Sequence, residues 1–390
     1  MVELSDLQKE ILSTVREYVD KEVIPVADEM EHNDEFPDKI VEGMKEMGLF
    51  GLTVPERYGG IGESLITYAL TVVELARGWM SLSGVLNTHF MGCYLLDKFG
   101  REDQKDEFLP KMATGAIRAA LAMSEPHAGS DVQAIRTKAI RDGDSYVVNG
   151  QKMWLTNGLR ASIVMTLVKT DPDANPPHRG MSLLVITKEG GNPKPAKGLD
   201  VGKNIEKMGY KGVETTEMTF SDHRVPTEAL LGADEGDGFR QVLDAIEVGR
   251  VNVAARAVGL ATRAFEEAMR YSQERETFGV PISKHQAIQT HIAEMGTQLE
   301  AARLMMLNAA EKKVSGERSD LEAGMAKLFC SEACHDIVLK ALRVHGGYGY
   351  SKEFTIERLY RDAPFLLIGE GTSEIQKNVI ARRLLEAYRI

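Results

Sequence analysis

The sequence predicts an α+β multidomain protein: an N-terminal α-helical domain, a middle β-barrel or sandwich domain, and a C-terminal four-helix bundle. Three observations carry this. Apolar residues recur at helical spacing through the first 115 or so positions, β-branched runs and turn pairs fill residues 133–225, and the helical period returns after Pro226 in four long segments joined by short loops. The domains are accordingly drawn at 1–116, 117–228 and 229–390.

In the first domain, Leu7, Ile11, Leu12, Val15, Tyr18 and Val19 share one helical face behind an N-cap at Ser5. Helices are expected over Asp38–Met47, Ser64–Ala76, Ser83–Phe99 and Glu102–Met112, with a loop at Pro55 and Gly59–Gly62. In the second, Tyr146–Gly158 reads as strand, hairpin turn at Asn149-Gly150, strand, and Ser162–Lys169, Ser182–Thr187 and Thr215–Ser221 add further strands. The third holds helices over Gly238–Gln273, His285–Val314, Ser319–Val344, Thr355–Tyr360 and Thr372–Tyr388.

The chain has 390 residues, 43% of them hydrophobic, and a net charge of −11 without a basic stripe, which argues against a nucleic-acid partner. Its three cysteines, Cys93, Cys330 and Cys334, are poor material for a disulfide framework. No apolar run approaches the roughly 20 residues of a membrane span, and the acidic start Met1–Asp6 is unlike a leader, so a cytoplasmic protein is expected.

Chemistry is suggested by several segments. Gly369-Glu370-Gly371 follows the apolar run Pro364–Ile368 and precedes a helix start, with Ser373 and Gln376 at capping-box spacing. Apolar neighbours raise such a carboxyl's pKa and a helix N-terminus lowers it, so Glu370 is either a poised base or a solvated helix-start residue. Neither a P-loop nor a Rossmann glycine motif is present. Ser124-Glu125-Pro126 and Gly129-Ser130-Asp131 surround a bend with hydroxyls and N–H groups, suited to a ring edge or a phosphate. Trp154 and Thr156 are expected on one strand face, where a flat heterocycle finds both an aromatic surface and a hydroxyl. Arg275–Gly279, His285-Gln286 and the glycines of His345–Tyr350 provide cations and close backbone approach. Cys330 and Cys334, one turn apart beside His335, are read as buried small residues, and no metal site is expected.

Taken together, Ser124-Glu125-Pro126 with Gly129-Ser130-Asp131, Asn149–Lys152 with Trp154 and Thr156–Gly158, Arg275–Gly279, His345–Gly347 with Gly349-Tyr350, Tyr360–Ala363 and Glu370–Gln376 resemble the acyl-CoA dehydrogenase family over essentially the whole chain. The resemblance implies FAD at the meeting of the β domain and the bundle. Leu121, Met123, Ser124, Ser130, Trp154, Leu155 and Thr156 would lie by the flavin, and Thr372 and Glu374 by the cofactor's tail. Arg275, Thr277, Phe278, His285, Gln286, Arg343, Gly346 and Gly347 would serve the FAD of a neighbouring subunit, which implies a homotetramer built as a dimer of dimers; Arg343 stands where many members carry glutamine. Glu370 would be the base that removes the α-proton of an acyl-CoA, with electrons passing to an electron-transfer flavoprotein. Some relatives carry the base on the long bundle helix, where this chain has Gly249. Substrate contacts would come from Ser130, Glu247, Arg250 and Gly371, an ordinary ion pair being the alternative for Glu247 and Arg250, and acyl length would depend partly on Val85–Tyr94. An acyl-CoA oxidase and a non-enzymatic FAD-binding or acyl-CoA-binding subunit are the alternative activities.

Overall fold

The computed structural model describes residues 4–389. Six helices come first: α1 (Asp6–Tyr18), α2 (Ile24–His32), α3 (Asp38–Glu46), α4 (Leu65–Gly78), α5 (Met80–Phe99) and α6 (Glu102–Ala113). Ser5 caps α1 in a full capping box with Gln8, and Ser64 caps α4. The helices α4 and α5 are buried almost all round, as expected for elements at the centre of a helical assembly.

A curled seven-stranded sheet follows: β1 (Ala119–Ala122), β2 (Lys138–Asp142), β3 (Ser145–Thr156), β4 (Ile163–Lys169), β5 (Met181–Thr187), β6 (Leu199–Val201) and β7 (Thr215–Pro226). The strand β4 pairs with β5 on one edge and with β1 and then β2 on the other. It is buried on both faces: Ile163, Met165 and Leu167 join the helical core, while Val164 and Val168 join a separate core inside the sheet. The expected hairpin at Asn149-Gly150 does not form. Strand β3 runs through as one strand with a bulge there, because its residues on both sides of the bulge pair with β7, and the hairpin turn lies instead at Gly143; Gly150 suits the bulge, since a Cβ there would lie 2.4 Å from the Thr137 hydroxyl. Strand β1, Ala-Ala-Leu-Ala, escapes sequence reading because it has no β-branched residue and draws its pairing from β4.

The C-terminal region comprises α7 (Gly238–Glu274), the small hairpin β8 (Glu276–Thr277) and β9 (Val280–Pro281), α8 (Gln286–Val314), α9 (Asp320–His345), α10 (Thr355–Ile368) and α11 (Ser373–Ala387). Helix α10 is longer than expected, since the apolar run through Ile368 continues the helix. The expected capping box at Ser373 and Gln376 is replaced: Thr372 caps α11, and Gln376 turns back to hold the preceding turn.

One loop joins the three regions. Residues 208–213 pass between α2, α5 and α10, and their main chain is held by two fully buried carboxylates. Glu31 accepts from Lys211 N at 2.8 Å, Gly212 N at 3.2 Å and Trp79 Nε1 at 2.6 Å, while Asp362 accepts from Tyr210 N at 2.6 Å. Tyr210 is thereby held at a positive φ of 57°. Glu31→Ala leaves the Trp79 indole N–H and the Lys211 main-chain N–H without an acceptor, while Gly212 N keeps the Ser81 hydroxyl at 3.2 Å, and is expected to lower stability by about 2 kcal/mol or more in chemical denaturation.

Candidate active site

Glu370 occupies the turn between α10 and α11 with φ of 54°, a left-handed conformation that a non-glycine residue adopts at a cost. The turn is held by Gln376 Nε2, which donates to the carbonyls of Glu370 and Gly371 at 3.3 Å each. This conformation sends the side chain inward. Asn87 of α5 donates to Glu370 Oε1, while Oε2 is buried without a hydrogen-bond partner. Glu370 as a whole is half-buried, and its Oε2 is inside. A Cβ on Gly249 of α7 would lie 1.9 Å from Oε2, so the missing side chain of Gly249 is the space the carboxylate occupies.

Burial pushes the Glu370 carboxyl above its ordinary value of 4.5, and Arg256, the Asn87 hydrogen bond, Lys327 and Arg250 act against that rise. Lys327 is fully buried, donates to the Leu367 carbonyl at 3.3 Å, and is pushed down to about 8 by burial. Arg250 is buried, and its Nε has no partner. It makes no ion pair with Glu247. That residue instead meets Lys313 at 2.9 Å, since Lys313 on α8 reaches it across the bundle. Tyr210 stacks on Phe365 with ring centroids 4.5 Å apart and accepts from Arg256 Nη1 at 3.2 Å; Asn252 donates to the Tyr68 hydroxyl at 2.8 Å.

Beside this chamber, Leu121, Met123 and Ser124 are half-buried and Ser130 is exposed. The bend they belong to is fixed by Glu125, which meets Lys152 at 2.8 Å and accepts from the main-chain N–H groups of Arg136 and Thr137. Met153 N donates to the Ser124 carbonyl at 2.9 Å, tying the bend to β3. Trp154 and Thr156 do not share a face by simple alternation, because the pairing register shifts between Lys152 and Leu155 and Trp154 takes a φ of 66°. The irregularity leaves the indole 57% exposed, seats Leu155 in the sheet core, and sets the Thr156 hydroxyl beside Tyr210. Leu155 is therefore fully buried and presents no surface to a ligand.

A second group gathers on the surface where α7 and α9 end and α8 begins. Arg275 lies 5.7 Å from the Tyr348 ring, the Thr277 hydroxyl is 2.9 Å from His285 Nε2, and Phe278, at φ of 53°, is 98% exposed with its edge to His285. Gln286 opens α8, and Arg343, Gly346 and Gly347 are exposed, with open space where either glycine's side chain would be. Thr372 spends its hydroxyl on capping α11, and Glu374 is exposed in that helix's first turn. The site residues thus fall into two groups, one lining a buried carboxylate and one presenting an exposed aromatic and cations.

Sequence reading missed Asn87, Tyr210, Arg256 and Lys327. Arg256 and Lys327 had a signal: each is a lone cation on the apolar face of a helix, amid Val251–Gly259 and Ala323–Cys330. Among the described residues no cluster of metal-ligating side chains occurs, and Cys330 and Cys334 are buried, Cys330 donating to the Ala302 carbonyl.

Three family models match in tandem: "Acyl-CoA dehydrogenase, N-terminal domain" over residues 5–116, the corresponding middle domain over 120–223 and the C-terminal domain over 236–385. An acyl-CoA dehydrogenase of Bacillus subtilis is 40% identical over 372 residues, 95% of this chain and 96% of that one. The structure of butyryl-CoA dehydrogenase from Megasphaera elsdenii superposes with a TM-score of 0.93 at 33% identity, covering 99% of this chain and 100% of that one. A chain from a structure of the electron transferring flavoprotein of Acidaminococcus fermentans superposes with a TM-score of 0.94 at 35% identity, covering 99% of both.

Two outcomes are expected. Gly249→Ala forces the Glu370 carboxylate out of its place and lowers any activity that depends on it by about 100-fold or more, while the protein still folds. Because the Glu370 pKa is raised on folding, its contribution to stability is present at low pH and lost as pH rises through the raised value. Glu370→Gln is therefore more stable than the parent at pH 8 in urea denaturation, and the gap closes as pH falls toward 4.5.

Proposed function

Since this chain belongs to the acyl-CoA dehydrogenase family of FAD-dependent oxidoreductases, we propose that it desaturates the Cα–Cβ bond of an acyl-CoA thioester to the trans-2-enoyl-CoA, with Glu370 as the base. The observation that carries the reading is the buried, unpartnered Oε2 of Glu370 in the space left by Gly249. A dry carboxylate with a raised pKa and one free oxygen suits abstraction of a weakly acidic α-proton.

Each step by the chain's own groups follows from position. Glu370 Oε2 takes the α-proton, Asn87 fixes the other oxygen, and the field of Arg256, Lys327 and Arg250 opposes the rise in pKa that burial imposes. The Glu370 main-chain N–H donates to the thioester carbonyl and favours the enolate-like charge that develops there. Gly371, Ser130, Glu247 and Arg250 border the substrate. Bound FAD supplies the acceptor for the hydride that leaves Cβ.

The residues fit FAD. An exposed indole at positive φ, with the hydroxyls of Thr156 and Ser124 nearby, offers a surface for a flat ring, bordered by Leu121, Met123 and Ser130, while Leu155 anchors this segment in the sheet core. Thr372 and Glu374 border the tail. The exposed group of Arg275, Thr277, Phe278, His285, Gln286, Arg343, Gly346 and Gly347 supplies cations and open backbone for the FAD of a second chain, hence a homotetramer assembled as a dimer of dimers. We place the reaction in the cytoplasm with an electron-transfer flavoprotein as acceptor, a choice supported by the superposition on a chain from such a structure. No helix among the described residues is long and apolar enough to cross a membrane.

The test is anaerobic titration of the flavin-loaded protein with acyl-CoAs of graded length, reading loss of the yellow absorbance. Bleaching by at least one acyl-CoA is expected, and Glu370→Gln should slow it by roughly 10²–10⁴. Full turnover by that variant would remove Glu370 from the mechanism.

A further inference from the structure

Two opposite charges share the base chamber without touching. Arg256, 1% exposed in the middle of α7, is the leading opposing charge on the Glu370 carboxylate, yet its guanidinium does not come within the 4.0 Å of an ion pair. Its Nε has no hydrogen-bond partner, and neither has Glu370 Oε2. Arg256 stands seven residues, two turns, beyond Gly249, whose missing side chain is where the carboxylate lies, and helical side chains lean toward the N-terminus. The guanidinium therefore extends toward the carboxylate. A cation and an anion so placed ordinarily close into contact, because each is short of partners and their attraction is strong away from water. A third group holds them apart.

That group is Tyr210. Among the described residues the only side-chain hydrogen bond of Arg256 runs from Nη1 to the Tyr210 hydroxyl at 3.2 Å, and the guanidinium lies 5.6 Å and 5.9 Å from the Tyr210 and Phe365 ring centroids. The hydroxyl is not free to follow the cation. Tyr210 is fixed at its main chain by Asp362, at its ring by the stack on Phe365, and at its tip by α5, where a Cβ on Gly84 would lie 1.6 Å from the hydroxyl oxygen. Gly84 thus makes room for the hydroxyl three residues before Asn87, which holds Glu370 Oε1. The other charged and titratable groups around the carboxylate are Arg250 on α7, Lys327 on α9 and Tyr68 on α4, and none of them is hydrogen-bonded to Arg256.

We propose that Tyr210 is a positioning residue for the base: its hydroxyl holds the Arg256 guanidinium at a fixed distance from Glu370, so that the cation acts on the carboxylate through space and does not close onto Oε2. The inference rests on the reading of Glu370 as the base. Without the hydroxyl, Arg256 has one acceptor left to turn to, the unpartnered Oε2, and a carboxylate paired there is a weaker base with no free oxygen.

The experiment compares the full-length, flavin-loaded parent with Y210F, R256Q and Y210F/R256Q. Y210F removes one oxygen and keeps both the ring stack and the main-chain bond to Asp362. In Y210F kcat should fall by about 10-fold or more, and the acid limb of kcat/KM against pH, measured with the acyl-CoA that bleaches the flavin fastest, should move down by about one pH unit. R256Q deletes the cation and should move that limb up. In Y210F/R256Q the limb should match R256Q, because Tyr210 then has no cation to hold. A second reading needs no substrate: the stability that Glu370→Gln adds at pH 8 in urea denaturation should shrink in the Y210F background, where the folded-state pKa of Glu370 is lowered, and grow in R256Q, where it is raised further. A tyrosine with a merely structural role would lower stability and leave the limb in place. An acid limb that stays or rises in Y210F therefore overturns the proposal, as does a stability gain from Glu370→Gln that Y210F leaves unchanged. If Y210F does not fold, the comparison of R256Q with Y210F/R256Q decides, equal limbs upholding the proposal and unequal ones overturning it. Full turnover by Glu370→Gln removes the base and this inference with it, whereas an unmoved limb in Y210F removes the inference alone.

Discussion

The site depends on one steric exchange: α7 gives up a side chain at Gly249, and the carboxylate of Glu370 fills the space from the opposite wall. A carboxylate so placed is dry and has one oxygen without a donor, a state that burial alone would make neutral and inert. Arg256, Lys327 and Arg250 supply a positive field that opposes this effect of burial without donating to Oε2. An ion pair at that oxygen would have stabilised the charge and left no oxygen free for the proposed base. The arrangement of field without contact is what leaves Oε2 free to take a proton.

Holding that arrangement requires rigidity around it. The strained turn at Glu370 is fixed by Gln376 from the first turns of α11, and the strained Tyr210 by Asp362 from α10. Asp362 is itself fully buried, and burial together with the nearby Glu31 carboxylate raises its pKa well above the usual range. Glu31 ties the same loop to Trp79 and Ser81 at the start of α5, the helix that carries Asn87. Helices from both ends of the chain and a loop from the sheet region therefore converge on one carboxylate. Loss of any anchor moves the others.

Much of this was legible in the sequence, and what was not has a physical reason. Helices announced themselves by period and caps, as at Ser5 and Ser64. Glu370 stood out between glycines, and the absence of a rival at Gly249 was readable, although only coordinates show that the two share one volume. The failures came where tertiary context overrides local signal. Asn149-Gly150 has hairpin chemistry yet lies in a bulge because β7 pairs with the strand on both sides of it, and Trp154 follows no strand alternation because the register shifts beneath it. Glu247 and Arg250 have ion-pair spacing, but Lys313 comes from another helix to take the carboxylate. Spacing along one element cannot report such a competitor.

The two groups of site residues also differ in how much of their environment one chain provides. The surroundings of the Glu370 carboxylate come from α4, α5, α7, α10 and the Tyr210 loop of the same chain. The surface group is open: Phe278 is almost fully exposed at a positive φ, a combination that is unfavourable for a lone chain in water. On the proposed reading that exposure is the mark of an incomplete half-site, covered when a second chain's cofactor lies against Arg275 and Phe278. Base geometry is then a property of the folded chain, whereas cofactor retention is a property of the assembly, and the two respond to different perturbations. Charge changes at Arg275 or Arg343 act on the second without reaching the Oε2 of Glu370, because none of the side chains that set that carboxylate's field comes from the surface group.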